Sequence, residues 1–432
     1  KYSIRATSFA GIYVDGDRER IPYEADALIN QLCHYGVDRE YSMARRSYEY
    51  LLQHPTWPTE WILQAVLIAW QDYLYTGDSR SLKAGYEQLK PRLLLSLREK
   101  NGLISTSTGL QTPEFISSIR MNGPIRDIVD WPHTKPDSKL WDVMGESDGF
   151  VFTDYNVVTN AYHYEALRLM GRIADVLEKR EDADWYISEA KNFKKLFVRS
   201  FFNTSKGYFT DGLLTDTDHA SLHGNMFPLA FGLVPEGKEK GVIDFIRTRG
   251  MACSVYGSQF LMDALYKAND ADYALQLLTK TDDRSWYNMI RVGSTISLEA
   301  WDNKYKTNQD WNHAWGAAPA NIIPRYLMGV EPLTPGYETV RVKPQTGMLE
   351  WAEATVPTIR GSIWIAVGNK GEEYSLKVTI PANMDAEVYL PLPSGKYKVM
   401  MNGAPIKVTR VNGEPYLYVG KMGSGTYSFL IK

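Results

Sequence analysis

Between about residue 24 and about residue 330 the chain alternates helices that are apolar nearly all round with helices that carry one charged face. Thr59 to Tyr75 follows Pro58 and holds Trp61, Ile62, Ala65, Val66, Ile68, Ala69 and Tyr73. A helix without a polar face is buried on all sides. Asp38 to Gln53 instead carries Arg39, Glu40, Arg45, Arg46 and Glu49, so one side must face water. Val158, Tyr162, Ala166, Leu169, Ile173 and Leu177 follow the three-and-four spacing of a single stripe. The next stretch, Ala183 to Phe202, is studded with Lys, Glu and Asp. Further helical stretches near 79–99, 219–233, 236–248, 257–268, 271–280 and 312–328 bring the count to about twelve. Sealed and half-wet helices in alternation are what a double ring requires. The pattern predicts an (α/α)6 toroid over 24–331. A right-handed helical solenoid is the alternative, but no repeat of fixed period supports it.

Two stretches break this rhythm. Residues 101–154 are rich in Gly, Pro, Ser and Asp around Trp131 and Trp141. Connections of that length in compact domains are usually functional or disordered, and the aromatic residues argue for ordered and functional. At Pro332–Gly336 the character changes to short strands: 339–342, 353–358, 361–368, 374–380, 385–390, 396–401, 416–419 and 426–431. Turn residues at that spacing predict an all-β sandwich over 335–432. The fold class is therefore mainly α with a C-terminal all-β domain, and residues 1–23 form a lead-in loop.

Charge excludes some partners. Lys plus Arg number 48 against 51 Asp plus Glu, a formal net charge of −3 with no basic stripe, which argues against nucleic acid. No apolar run is long enough to span a bilayer. Cys33 and Cys253 are too few for a disulfide framework and read as buried free thiols. The 28 Tyr and 12 Trp often stand beside carboxylates and amides. They either stack on a flat ligand such as a sugar or simply pack at half-buried positions.

Polar residues concentrate in two places. Asp15 to Asp26 holds five carboxylates and two guanidiniums in twelve residues, interrupted by Ile21, Pro22 and Tyr23. A solvated run suited to a helix N-terminus would be simpler, but rigid and apolar residues rarely interleave such a run. The second cluster is Ser294 to Asp302 followed by Asp310 to Trp315. There Glu299 stands in a small and apolar stretch, a setting that raises a carboxyl pKa and suits acid–base work. It could equally be a surface glutamate, and Asn312-His313 an N-cap. The clusters lie 280 residues apart, but the first and last helices of a closed ring are neighbours. Two carboxylates could then face one pocket, as glycoside hydrolysis needs.

The stretch Asp15 to Asp26 resembles the acidic motif of α-L-rhamnosidases of glycoside hydrolase family 78. So do Asp130-Trp131, Ser221 to Leu229, Glu299-Ala300-Trp301 and Asn312-His313. The resemblance covers nearly the whole chain. It implies an inverting glycosidase releasing terminal α-L-rhamnose, with Glu19 as general acid and Glu299 as general base. It further implies that Asp15, Arg18 and Asp26 hold rhamnose hydroxyls and that Tyr23 replaces a common tryptophan. The gap to Glu19 is one residue shorter than in the family's usual form, so either Asp15 or Asp17 takes the first aspartate's role. Asp130, Trp131, His223, Trp301 and His313 would complete the pocket. The resemblance also implies upstream β domains and a periplasmic or secreted setting.

No cofactor is implied. His219 and His223 have the spacing of a helical metal pair but no acidic third ligand at a recognised interval. Another toroidal hydrolase or phosphorylase, or a sugar-binding protein on a decayed hydrolase fold, remain the alternatives. Four geometric expectations follow. Trp131 and Trp301 line the pocket, with an apolar wall for the sugar's methyl group. The Glu19 and Glu299 carboxyls stand roughly 6.5–9.5 Å apart, as inversion requires. Asp15, Asp17 and Asp26 raise the Glu19 pKa against the opposing Arg18 and Arg20. A donor such as His313 favours ionised Glu299.

Overall fold

The computed structural model describes residues 1–133, 145–371 and 373–432; Trp141 therefore lies outside the described residues. A short helix, α1 (Tyr2–Ala6), opens the chain. Four longer ones follow: α2 (Glu24–Val37), α3 (Ser42–Gln53), α4 (Thr59–Thr76) and α5 (Arg80–Arg92). After the short α6 (Pro113–Ser118) come α7 (Val157–Val176) and α8 (Arg180–Phe201). Then come α9 (His223–Ala230), α10 (Glu239–Arg249), α11 (Val255–Lys267), α12 (Ala271–Leu278) and α13 (Trp286–Arg291).

The even–odd alternation of the sequence becomes an inner and an outer ring. Helices α2, α4, α7, α9 and α11 are buried nearly all round and pack in that order. Charged α3, α5, α8 and α10, and the short α12, bury one stripe each and face water with the rest. Segment 314–327 takes the sixth inner place, between α11 and α2. Cys33 on α2 donates to Ala317 O at 3.3 Å, and Asn321 donates to Gln259 of α11 at 2.8 Å, closing the ring. Across its centre Gln64 of α4 donates to the hydroxyls of Tyr162 on α7 and Tyr256 on α11. The toroid expected from alternation is present, and both cysteines are buried free thiols.

The last inner segment differs from the expected helix over 312–328. It runs as a 3-10 turn (Ala314–Ala317), one α turn (Pro319–Ile322) and a π turn (Ile323–Leu327). Pro319 and Pro324 cause this, because each removes an amide donor and its ring crowds the preceding turn. The segment still packs tightly on α2. A Cβ at Gly36 would lie 2.3 Å from Ala320 O, so only glycine permits the approach.

Two sheets follow. One orders its strands Thr409–Arg410, Tyr416–Met422, Asp385–Pro391, Thr339–Val342 and Val330–Pro332. The other orders Ala404–Pro405, Val399–Met401, Gly425–Ile431, Glu373–Ile380, Gly361–Lys370 and Trp351–Thr358. Alternate residues such as Ile363, Ile365 and Val367 are buried, the period expected where one sheet face meets a core. Strand Val330–Pro332 already belongs to the first sheet, ahead of the turn where the sequence changes character. No helix among the described residues is long and apolar enough to cross a membrane.

Candidate active site

The inner helices point their N-termini toward one mouth of the ring, and the loops leading into them carry its chemistry. Tyr23 is the N-cap of α2. Trp57 and Trp61 straddle the start of α4, and Trp315 stands at the head of the sixth inner segment. These four, with Trp131, Asp15, Arg18, Glu19, Asp26, Glu299 and His313, enclose a cavity of about 80 Å³. Its floor is aromatic: Tyr23, Trp131 and Tyr256 each lie 5.5–6.3 Å from the Trp61 ring, and Trp315 packs on Tyr256 at 5.6 Å. Helix N-termini favour negative charge, which suits a mouth built from carboxylates.

Buried acids fix the loops. Glu24, in the first turn of α2, accepts from the amide and hydroxyl of Thr56, beside Trp57. Glu60, in the first turn of α4, accepts from the amides of Ile128 (3.1 Å) and Val129 (2.9 Å), just before Trp131. Asp130 is itself wholly buried. It pairs with His223 Nε2 at 2.6 Å and accepts from the Ser254 amide at 2.9 Å, tying the Trp131 loop to the heads of α9 and α11.

Glu19 sits at the mouth with its side chain one-third exposed, bonded to Arg18 and accepting from the Tyr23 hydroxyl at 2.9 Å. Burial pushes its pKa up, but the Tyr23 and Arg18 hydrogen bonds and the Arg18 and Lys306 charges outweigh that and hold it below the usual value. This corrects the expected upward shift. Burial is the largest single influence on Glu19, but its immediate partners are donors and cations, and together they exceed it.

Glu299 lies deeper, with its side chain 3% exposed. Its Oε1 accepts from Trp131 Nε1 at 3.2 Å, while its Oε2 accepts from the Asp310 amide at 2.8 Å. The Lys306 ammonium stands 3.2 Å from Oε2 and the Arg18 guanidinium 4.0 Å. The apolar surroundings read from the sequence are thus replaced by donors brought in from elsewhere. His313 is not among them. Its Nε2 pairs with Asp26 Oδ1 at 2.6 Å. Burial would lower the His313 pKa, yet the charge and hydrogen bond of Asp26 outweigh it and raise the value.

Asp15 accepts from the Ile21 amide at 3.0 Å, and burial, reinforced by the charge of Asp26, pushes its pKa up to about 7. Asp17 turns outward, 61% exposed, with Arg20 at 3.9 Å. Of the two aspartates, only Asp15 lines the cavity. Gly16 bridges to His313, and a Cβ there would fall 2.5 Å from the Asp310 carboxyl carbon. The Arg18 amide donates to Asp310 Oδ1 at 2.9 Å. In this way the acidic loop is seated on the segment that follows Glu299.

Three expected pocket residues stand behind it. Trp301 is fully buried, donates to Cys253 O at 2.7 Å and packs edge-on against Trp286, so its indole supports the wall without forming it. Asp130 and His223 pair with each other in the same buried layer. Trp57, Trp61 and Trp315 were missed as pocket residues, and Lys306 and Asp310 as partners of the site. Aromatic residues at the heads of the buried helices were the available signal for the first three; nothing local marks Lys306. Glu299, Asp310 and His313 offer ligand atoms within 4.8 Å of one another, but Lys306 and Arg18 already supply counter-charge there.

A family model described as the bacterial alpha-L-rhamnosidase 6 hairpin glycosidase domain matches residues 1–327, and one for the C-terminal domain of the same proteins matches 329–404. An alpha-L-rhamnosidase of Alteromonas sp. (strain LOR) is 25% identical over 385 residues, 85% of this chain and 37% of the relative. One from Formosa agariphila is also 25% identical, over 85% of this chain and 38% of its own length. The chain therefore spans well under half of these curated relatives. In fold it is similar to the solved alpha-L-rhamnosidase from Dictyoglumus thermophilum, with TM-score 0.76, 19% identity and coverage of 100% of this chain and 49% of that one. The Streptomyces avermitilis alpha-L-rhamnosidase complexed with L-rhamnose gives TM-score 0.74 at 19% identity, covering 100% and 40%. The chain belongs to the bacterial α-L-rhamnosidase six-hairpin glycosidase family.

Proposed function

We propose that this chain hydrolyses terminal α-L-rhamnosides with inversion, Glu19 serving as general acid and Glu299 as general base. The observation that carries the reading is the pairing of two carboxylates from opposite ends of the helical ring at one narrow cavity. Arg18 reaches both, bonded to Glu19 and 4.0 Å from Glu299. Inverting glycosidases hold their two carboxyls roughly 6.5–9.5 Å apart, which leaves room for the attacking water. A small cavity with an aromatic floor suits a single terminal sugar better than an internal stretch of polymer.

Asp15, Asp26 and His313 are the groups we assign to the sugar's hydroxyls. Asp26 Oδ2 and His313 Nδ1 are buried without a hydrogen-bond partner among the described residues, and both residues line the cavity. Trp57, Trp61 and Trp131 supply the apolar wall for a methyl group, where glucose would present a hydroxyl needing a partner. In the free protein Glu19 is held ionised, so the acid role requires it to gain a proton as bound sugar excludes water and the leaving oxygen displaces Arg18. The relative solved with L-rhamnose supports the same sugar, and the family resemblance implies a periplasmic or secreted setting.

A phosphorylase reading is weaker, since the cations at the cavity are already engaged by carboxylates, Arg18 by Glu19 and Lys306 by Glu299. The test is proton NMR of the first sugar released from an aryl α-L-rhamnoside. β-Rhamnose supports the proposal, α-rhamnose defeats inversion, and turnover only of other aryl glycosides defeats the substrate.

A further inference from the structure

We infer that Lys306 is the positioning residue for Glu299: it holds one carboxylate oxygen and keeps the group an anion, leaving the other oxygen to activate water. The inference rests on the base role proposed above.

An ammonium is almost never fully buried unless paired. Lys306 has a side chain only 3% exposed, and its Nζ stands 3.2 Å from Glu299 Oε2. Its other contacts are neutral, Asn308 Oδ1 at 3.1 Å and Asn308 O at 3.4 Å. The chain brings it there by folding back on itself. Glu299 N donates to Asp310 O at 3.1 Å, Ala300 N donates to Gln309 Oε1 at 3.0 Å, and Gln309 N donates to Lys306 O at 3.1 Å.

The two oxygens of Glu299 are consequently unlike. Oε2 is taken by the Asp310 amide and Lys306, whereas among the described residues Oε1 accepts from the Trp131 indole alone, itself a wall of the cavity. Oε1 is the oxygen left to take a proton from water. Other charged groups face Glu299 as well. Arg18 approaches Oε2 at 4.0 Å but is bonded to Glu19 and one-third exposed. The carboxylates of Asp310, on its own loop, and Asp26, on α2, also face it, and His313 is paired with Asp26. Lys306 is the nearest cation to Glu299 among the described residues, and the burial of both groups leaves their attraction poorly screened.

The test is the pH dependence of kcat for an activated aryl α-L-rhamnoside, where the acid is hardly needed. In Lys306→Met the acidic limb should move up by about 1–3 pH units, the size of effect a neighbouring charge exerts. KM should stay within a few-fold, and ethylammonium should restore turnover to Lys306→Ala. A limb unmoved from wild type, or an equal loss at every pH with no amine rescue, overturns the inference. If Lys306→Met does not fold, the double variant Glu299→Gln, Lys306→Met decides: recovery of Tm supports the pairing and no recovery overturns it. Glu299→Gln assayed alone separates the two readings. Its retention of turnover defeats the base role, whereas its inactivity beside an unmoved limb in Lys306→Met defeats only the role of Lys306.

Discussion

The Arg18 amide donates to Asp310 Oδ1 at 2.9 Å, which joins the loop bearing Glu19 to the segment that fixes Glu299. One aspartate thus sets the spacing of two groups far apart in sequence. Asp310→Ala should lower kcat/KM by about 10–100-fold, since misplacement of about 1 Å can cost that much. Asp310→Asn keeps an acceptor and should lose far less. Steady-state kinetics on one aryl rhamnoside compares them.

Gly16→Ala should damage the same joint by crowding. Its Cβ would sit 2.5 Å from the Asp310 carboxyl carbon, where a buried side chain has little room to retreat. Overpacking of this kind costs about 1–3 kcal/mol. Thermal unfolding should report a lowered Tm, with activity falling further than stability alone accounts for.

Glu299→Ala should abolish turnover of every rhamnoside, good leaving groups included, because water must still be activated. Glu19→Gln should spare substrates with good leaving groups and fail on those with poor ones. A plot of log kcat/KM against leaving-group pKa reads the difference as a steeper slope in the Glu19 variant.

Much of this site was legible because the relevant residues cluster locally. Asp15 to Asp26 announced itself by composition, and the sealed character of Thr59 to Tyr75 identified an inner helix. The strands from 339 onward were equally plain, their boundaries set by turn residues and alternation. Trp301 misled because an indole beside a carboxylate looks alike whether it faces the cavity or the layer behind it. Direction along an irregular loop has no period to read. Lys306 was invisible for a related reason: its partner is reached only when the chain folds back on itself.

Trp131→Phe and Trp301→Phe should separate these two layers. The first removes a hydrogen bond to Glu299 Oε1, and a bond to a charged group contributes about 1.5–3 kcal/mol. Activity should fall roughly 10–100-fold with Tm little changed. The second removes the indole's bond to Cys253 O, which keeps Arg284 as a donor at 3.3 Å, so it should cost about 0.5–1.5 kcal/mol of stability with a smaller effect on kcat.

Asp15 gives a pH signature in stability. Its folded pKa, about 7, lies above the ordinary 3.8, so the native state binds the extra proton between those values. The stabilisation is full below about pH 4 and is lost as pH rises through about 7. Asp15→Asn cannot ionise and should escape that loss. Unfolding curves should show the variant gaining on wild type by about 2–4 kcal/mol between about pH 4 and about pH 8.

The buried acids at the heads of α2 and α4 each hold the loop that belongs to the next inner position: Glu24 holds Thr56, and Glu60 holds Ile128 and Val129. Asp130 carries the linkage on to His223 and Ser254, and Asp26 ties α2 back to His313. Each hairpin is therefore keyed to its neighbour in the manner of overlapping tiles. A loop transplanted from another toroid to change sugar preference would arrive without its anchor, which stays behind on a different helix. Redesign of this rim has to exchange a loop together with the first turn that grips it.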